Sequence, residues 1–118
     1  MQYNMQLRTN LEHLNSRAEV EQLIKNNEKA VVVCGRMGPM CIPVYGIMES
    51  LREKNPDIAF RDMLFDHPES DVIRNLPECR SFRGLPYTVY FKNGKVVKAT
   101  TSIQDAKQVK DIINEHLS

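Results

Sequence analysis

Arg83-Gly84-Leu85-Pro86-Tyr87-Thr88-Val89-Tyr90-Phe91-Lys92-Asn93-Gly94-Lys95 is the stretch that decides how this chain folds. A glycine, an apolar residue and a proline open an apolar run, and Asn93-Gly94 turns it into a second run, Val96 to Ala99. Asn-Gly between two apolar runs is the strongest short-range hairpin signal, because both residues tolerate positive φ. Pro86 has no N–H to give to a ladder. It therefore belongs at the first residue of its strand, where a cis bond would be a retained feature.

The rest of the chain is short enough to form one domain over residues 1–118. A chain of this size buries about two-thirds of its unfolded surface. Sixteen basic and 15 acidic side chains nearly cancel without any run of like charge, which argues against nucleic acid or an anionic membrane as partner. No apolar stretch reaches the ~20 residues of a membrane span. Met1 to Asn10 is too polar for a secretory leader, so the expected location is the cytoplasm and residues 1–10 are expected to fray. Cys34, Cys41 and Cys79 make an odd set of 3, which disfavours a disulfide framework and favours a reactive or buried thiol.

Outward from the hairpin, the elements follow from period and punctuation. Leu11 to Leu14 reads as a short edge strand. Ser16 and Glu19 read as a capping box ahead of a helix carrying Val20, Leu23 and Ile24 and ending near Asn26-Asn27. Ala30 to Val33 is an unbroken apolar run, as in a central strand covered on both faces. A second helix is expected from about Met40 to Lys54, with Val44, Ile47, Met48 and Leu51 on one stripe, stopped by Asn55-Pro56. A strand over Ile58 to Phe65 and a short helix over Glu69 to Leu76 follow. Ser102 is expected to cap the last helix, with Val109, Ile112, Ile113 and Leu117 as its buried stripe. Helices between early strands and a final antiparallel hairpin predict an α/β fold: a mixed sheet with helices on both faces.

This order resembles the thioredoxin family over roughly residues 11–117. The most specific part is Phe82 to Leu117, with Arg-Gly-Leu-Pro, then Phe-Lys-Asn-Gly-Lys-Val, then an amphipathic helix. The resemblance implies a thioredoxin fold with Pro86 cis, facing a redox-active Cys-x-x-Cys. Here the sequence departs from the family, since this region reads Cys34-Gly35-Arg36-Met37-Gly38-Pro39-Met40-Cys41-Ile42-Pro43-Val44. In one register Gly38-Pro39-Met40-Cys41 fills the motif, so Gly38 replaces the nucleophile and Cys41 keeps the resolving position. In the other, Cys41-Ile42-Pro43-Val44 fills it and Cys41 is the nucleophile, but Glu49 and Ser50 then fall at positions the family buries. Either way Cys41 is the only thiol in the motif.

A disulfide reductase needs two thiols, one to attack and one to release the mixed disulfide. Cys34 is the candidate second thiol, if its Cα comes within about 7 Å of Cys41; otherwise it is a buried small hydrophobe. Cys79 reads as a loop or helix-end thiol without a role. Asp62 falls where the family has a lysine and is a candidate proton relay for Cys41, while Val32 occupies the position of the family's buried acid. A carboxylate reaching solvent is the alternative for Asp62. No zinc spacing and no phosphate loop occurs, so neither metal nor cofactor is expected.

Two functions follow from the resemblance. One is thiol–disulfide redox exchange by Cys41, alone or with Cys34, with protein or peptide clients and a reductant of the thioredoxin-reductase type. The other is a redox-inactive binding module that holds an extended peptide by β-augmentation. In both, Leu85, Pro86, Gly38, Pro39 and Met40 would contact the client, with Met37 and Tyr87 lining the groove.

Overall fold

The computed structural model describes residues 7–118 and contains the expected elements in the expected order. Strand β1 (Glu12–Leu14) precedes helix α1 (Arg17–Asn26), and β2 (Lys29–Gly35) precedes α2 (Ile42–Lys54). Then come β3 (Ala59–Leu64), a 3-10 turn (Pro68–Ser70), the single-turn α3 (Asp71–Arg74) and a second 3-10 turn (Pro77–Cys79). The chain closes with β4 (Tyr87–Lys92), β5 (Lys95–Thr101) and α4 (Ala106–His116). The five strands form one sheet in the order β1-β3-β2-β4-β5. β1 and β2 run parallel to β3, whereas β4 is antiparallel to both β2 and β5. The hairpin turns at Asn93 (φ 54) and Gly94 (φ 80), both left-handed as Asn-Gly predicts, and the Leu85–Pro86 peptide bond is cis.

Strand β2 lies at the centre, and its period-two alternation divides the core. Val31 and Val33 face α2 and α4, together with Phe60, Tyr90, Val44, Met48 and Val109. Ala30, Val32 and Cys34 face α1 and α3, together with Val20, Leu23, Met63, Ile73 and Val89. Val31, Val32 and Val33 are each 0% exposed, and burying a side chain of this size contributes about 1.5–3 kcal/mol. The uninterrupted apolar run is thus the signature of a strand covered on both sides.

Helix ends depart from expectation in three places. The Ser16 hydroxyl accepts from the Glu19 amide at 3.1 Å, but the Glu19 carboxylate takes the Asn15 N–H at 2.6 Å instead of closing the box on Ser16. Asp105, not Ser102, caps α4, in a complete capping box with Gln108. Ser102 instead makes a left-handed bend at φ 70. The short third helix divides into a 3-10 turn opened by Pro68, one α turn and a second 3-10 turn opened by Pro77.

The expectation of a frayed start is corrected from residue 7 onward, residues 1–6 lying outside the described part. Leu7 and Leu11 are 4% and 3% exposed in the α2/α4 side of the core. The Asn10 N–H donates to Glu49 at 2.6 Å, and Arg52 donates to the Asn10 carbonyl at 2.6 Å. Among the described residues no helix is long and apolar enough to cross a membrane.

Gly46 lies inside α2, exposed, and a Cβ built there meets nothing within 4 Å. Gly46→Ala should therefore raise the unfolding free energy by about 0.5–1 kcal/mol, read from urea titration. An unchanged or lower midpoint would contradict that account of α2.

Candidate functional site

The site begins where β2 ends. Gly35 has no side chain because there is no room for one. A Cβ there would lie 2.7 Å from the Tyr45 hydroxyl, 2.9 Å from the Cys41 sulfur and 3.0 Å from Cβ of Pro86. The thiol, a phenol and the cis-proline thus converge on one hydrogen-sized space. From Gly38 the chain makes a helical turn: the Gly38 carbonyl accepts from the amides of Cys41 and Ile42, each at 3.0 Å. Pro43 interrupts this turn because it lacks an N–H, so α2 proper starts at Ile42 with Cys41 at its N-cap. The Cys41 sulfur accepts from the Arg36 amide at 3.4 Å, and the Tyr45 hydroxyl donates to the Arg36 carbonyl at 3.0 Å. The Arg36 guanidinium is held outside by a two-pronged pair with Asp66, at 2.8 and 2.7 Å, and stands 5.4 Å over the Phe65 ring.

Burial at the site is uneven. Cys41 is 2% exposed, Met40 is 44% exposed and Ile42 is 48% exposed. Gly38 is half-buried, and a Cβ on it would meet nothing within 4 Å. In α2 the structure buries Val44, Tyr45, Met48 and Leu51 and leaves Ser50 exposed. Leu85 is half-buried, and neither its N–H nor its C=O is hydrogen-bonded among the described residues. Its neighbours are bonded: the Pro86 carbonyl takes the Ser102 amide at 3.0 Å, and the Gly84 carbonyl takes the Thr101 hydroxyl.

Several residues expected at this site lie elsewhere. Cys34 does not join Cys41. It projects from the α1/α3 face of the sheet and Cys41 packs on the α2/α4 face, so β2 itself stands between them, and all three cysteines are free. Burial pushes the Cys34 thiol from its ordinary 9.0 up to about 12, against smaller opposing effects of Arg74 and Ser70. Cys79 is 1% exposed and packs in the same layer as Cys34, and burial pushes its thiol up to about 11. It is therefore no ordinary loop thiol. Tyr87 also faces away from the site. It makes edge-on contacts with Phe65 and Phe82 at 5.3 Å and donates its hydroxyl to the Phe82 carbonyl at 3.0 Å. Met37 stays on the site side, where its sulfur accepts from the Arg8 amide at 3.2 Å. Val32 points away from Cys41, and the neighbour of Asp62 on β2 is Val33, because a one-residue change in strand position reverses the face.

Asp62 is 0% exposed, which excludes a carboxylate reaching solvent. Strand register sets His13 directly beside it. His13 Nδ1 lies 2.5 Å from one carboxylate oxygen, and the Thr9 hydroxyl donates to the other at 2.5 Å. Both Asp62 oxygens are thus engaged by the N-terminal segment and not by Cys41. Burial raises the Asp62 pKa, the bonds from Thr9 and His13 oppose it, and the nearby Glu49 charge adds to the rise. Nothing in the sequence linked His13 or Thr9 to Asp62, since only tertiary pairing brings them to it. No group of His, Cys, Asp and Glu suited to a metal occurs among the described residues.

No protein-family profile matches this sequence, and no curated protein matches it. Solved structures do. A Plasmodium falciparum thioredoxin superposes with a TM-score of 0.74 at 20% identity, over 90% of this chain and 99% of its own. A mutant thioredoxin from Halobacterium salinarum gives 0.76 at 20% identity, over 91% and 90%. Oxidised mitochondrial thioredoxin 3 from Saccharomyces cerevisiae gives 0.73 at 24% identity, over 89% and 94%. This chain has the thioredoxin fold.

Two measurements test the site. In alkylation with iodoacetamide at neutral pH, followed by peptide mapping, Cys41 should be modified first, then Cys79, with Cys34 last. A rise of the thiol pKa from 9.0 to about 12 lowers the Cys34 thiolate population about a thousandfold. Modification of Cys34 in the native state ahead of Cys41 would refute the layered placement.

The second concerns Asp62. The folded chain holds the Asp62 proton more tightly than the unfolded chain, whose value is near 3.8, so ionisation here costs stability. That loss begins as pH rises through the unfolded value and is complete above the folded one. The stability of the natural chain relative to Asp62→Asn should therefore fall as pH rises above the unfolded value near 3.8, measured by urea unfolding. A relative stability that rises over this range would overturn the assignment.

Proposed function

We propose that this chain exchanges thiols with protein disulfides through Cys41 alone. The observation that supports this most directly is the contact of the Cys41 sulfur with the space shared by Gly35 and Pro86, at the start of α2 and under the Arg36 amide. The burial of Met48 and Leu51 with Ser50 exposed supports the register in which Gly38 stands at the first motif position. An extended client would pair its backbone with the unbonded N–H and C=O of Leu85, beside Pro39 and Met40.

The step is a one-for-one exchange. Cys41 gives up its proton, and its sulfur bonds one client sulfur as the client S–S bond breaks. The departing client thiolate then takes up a proton. No second cysteine shares this face of the sheet, so an external thiol or dithiol reductant must release the mixed disulfide. Asp62 is not used in this step, because both its oxygens are engaged by Thr9 and His13.

A second reading, client binding without redox chemistry, is favoured by the 2% exposure of Cys41. Incubation of the native protein with oxidised glutathione separates the two. A single mixed disulfide mapped to Cys41 is expected, and no adduct at Cys41 would leave binding alone. In coupled insulin reduction the natural chain should turn over at least about tenfold more slowly than a two-cysteine thioredoxin. Gly38→Cys should raise that rate and Val44→Cys should not. Robust turnover by the natural chain would overturn the one-thiol account.

A further inference from the structure

A groove runs between α2 and α4, away from the thiol. Pro43, Gly46 and Ile47 meet Ala106 in one part of it and Ile113 and Asn114 line the other, while Leu51, Lys54 and Lys110 line both, so the two helices run in the same direction along it. Its floor is apolar. Its charged lining is Lys54 and Lys110. The ion pairs nearby are formed by other residues: Lys107 with Asp111 at 2.8 Å and Arg52 with Glu53 at 3.4 Å. Neither Lys54 nor Lys110 has an ionic partner among the described residues. Ile42, 48% exposed, immediately precedes Pro43, and Ile103, 47% exposed, stands three residues before Ala106.

We propose that this groove docks an acidic amphipathic helix of a partner protein, with its apolar residues on Ile47, Leu51 and Ile113 and its carboxylates on Lys54 and Lys110. The charge pattern selects the chemistry: two lysines without ionic partners, flanking an apolar trough, favour Asp or Glu over a neutral or basic segment. The walls select the conformation. Both are helices, whose backbone groups are already paired, so the groove offers no sheet edge, and a helix is the segment that satisfies its own backbone. Pro43 to Lys54 spans about 16 Å at 1.5 Å per residue, room for about three helical turns of the partner. This surface is separate from the unbonded Leu85 backbone, so a client at the thiol and a partner in the groove can be held together.

The test is selection of peptides from a random displayed library against the full chain carrying Cys41→Ser, so that thiol capture plays no part. Selected peptides should combine Leu, Ile or Phe at helical spacing with Asp or Glu beside them. By fluorescence anisotropy they should bind Lys54→Glu/Lys110→Glu at least tenfold more weakly, and exchange of their acids for lysine should restore binding to that variant. Both proteins should still unfold cooperatively at similar urea concentrations. With Cys41 restored, the charge-reversed variant should form the Cys41–glutathione adduct as the natural chain does, so failure of the groove and failure of the thiol reading are distinguishable. No enrichment, enrichment without an acidic bias, or equal binding to the charge-reversed variant would each overturn the proposal.

Discussion

The space over Gly35 is the constraint around which the functional end of this molecule is assembled. Three groups from distant parts of the chain reach it: the Cys41 sulfur, the Tyr45 hydroxyl and the Pro86 ring. A methyl group there would lie at or inside 3.0 Å of all three, and overpacking of this kind typically costs about 1–3 kcal/mol. The glycine lets α2 start against the end of β2, and lets the loop before β4 close over both. The Tyr45 hydroxyl and the Cys41 sulfur then take the two ends of the Arg36 peptide, its carbonyl and its amide. The thiol is thereby fixed by backbone contacts that do not depend on a second cysteine.

The central sheet acts as a partition. Strand β2 is buried on both faces, so neighbouring residues on it belong to different layers. Cys34, one residue before Gly35, joins Cys79 and Ile73 behind the sheet, while Cys41 joins Val44 and Met48 in front. Burial raises the pKa of both thiols behind, and the thiol in front stands at a helix start. This separation leaves Cys41 as the one cysteine of the 3 on the α2/α4 face of the sheet. The same division gives α2 two neighbours, the sheet on one side and α4 along the other, where the groove opens.

A buried carboxylate ties the N-terminal segment to this arrangement. Asp62 holds Thr9 and His13, Glu49 holds the Asn10 amide, and Arg52 holds the Asn10 carbonyl. Two of those contacts come from α2 and two from Asp62 on β3, so the segment bridges the helix carrying the thiol and the sheet beneath it. Leu7 and Leu11 fill the apolar space between.

Local rules determined most of the fold from the sequence by itself. Asn93-Gly94 dictated the hairpin, the run Ala30 to Val33 dictated a strand buried on both faces, and Pro86 dictated where β4 begins, because each depends on the conformational limits of a few adjacent residues. Helix ends were less legible. Ser102 and Asp105 are both good caps, and the choice between them rests on which one the preceding strand leaves in an extended conformation. The site was legible only as far as Cys41. Whether Cys34 could reach it depended on strand parity, which a loop of uncertain length conceals and one residue of shift reverses. The partners of Asp62 lie 49 and 53 residues away in the chain, and nothing in the sequence linked them to it. Such contacts were decided by the tertiary structure alone, because only packing the sheet sets β1 beside β3 and gives a buried charge the hydrogen bonds it needs.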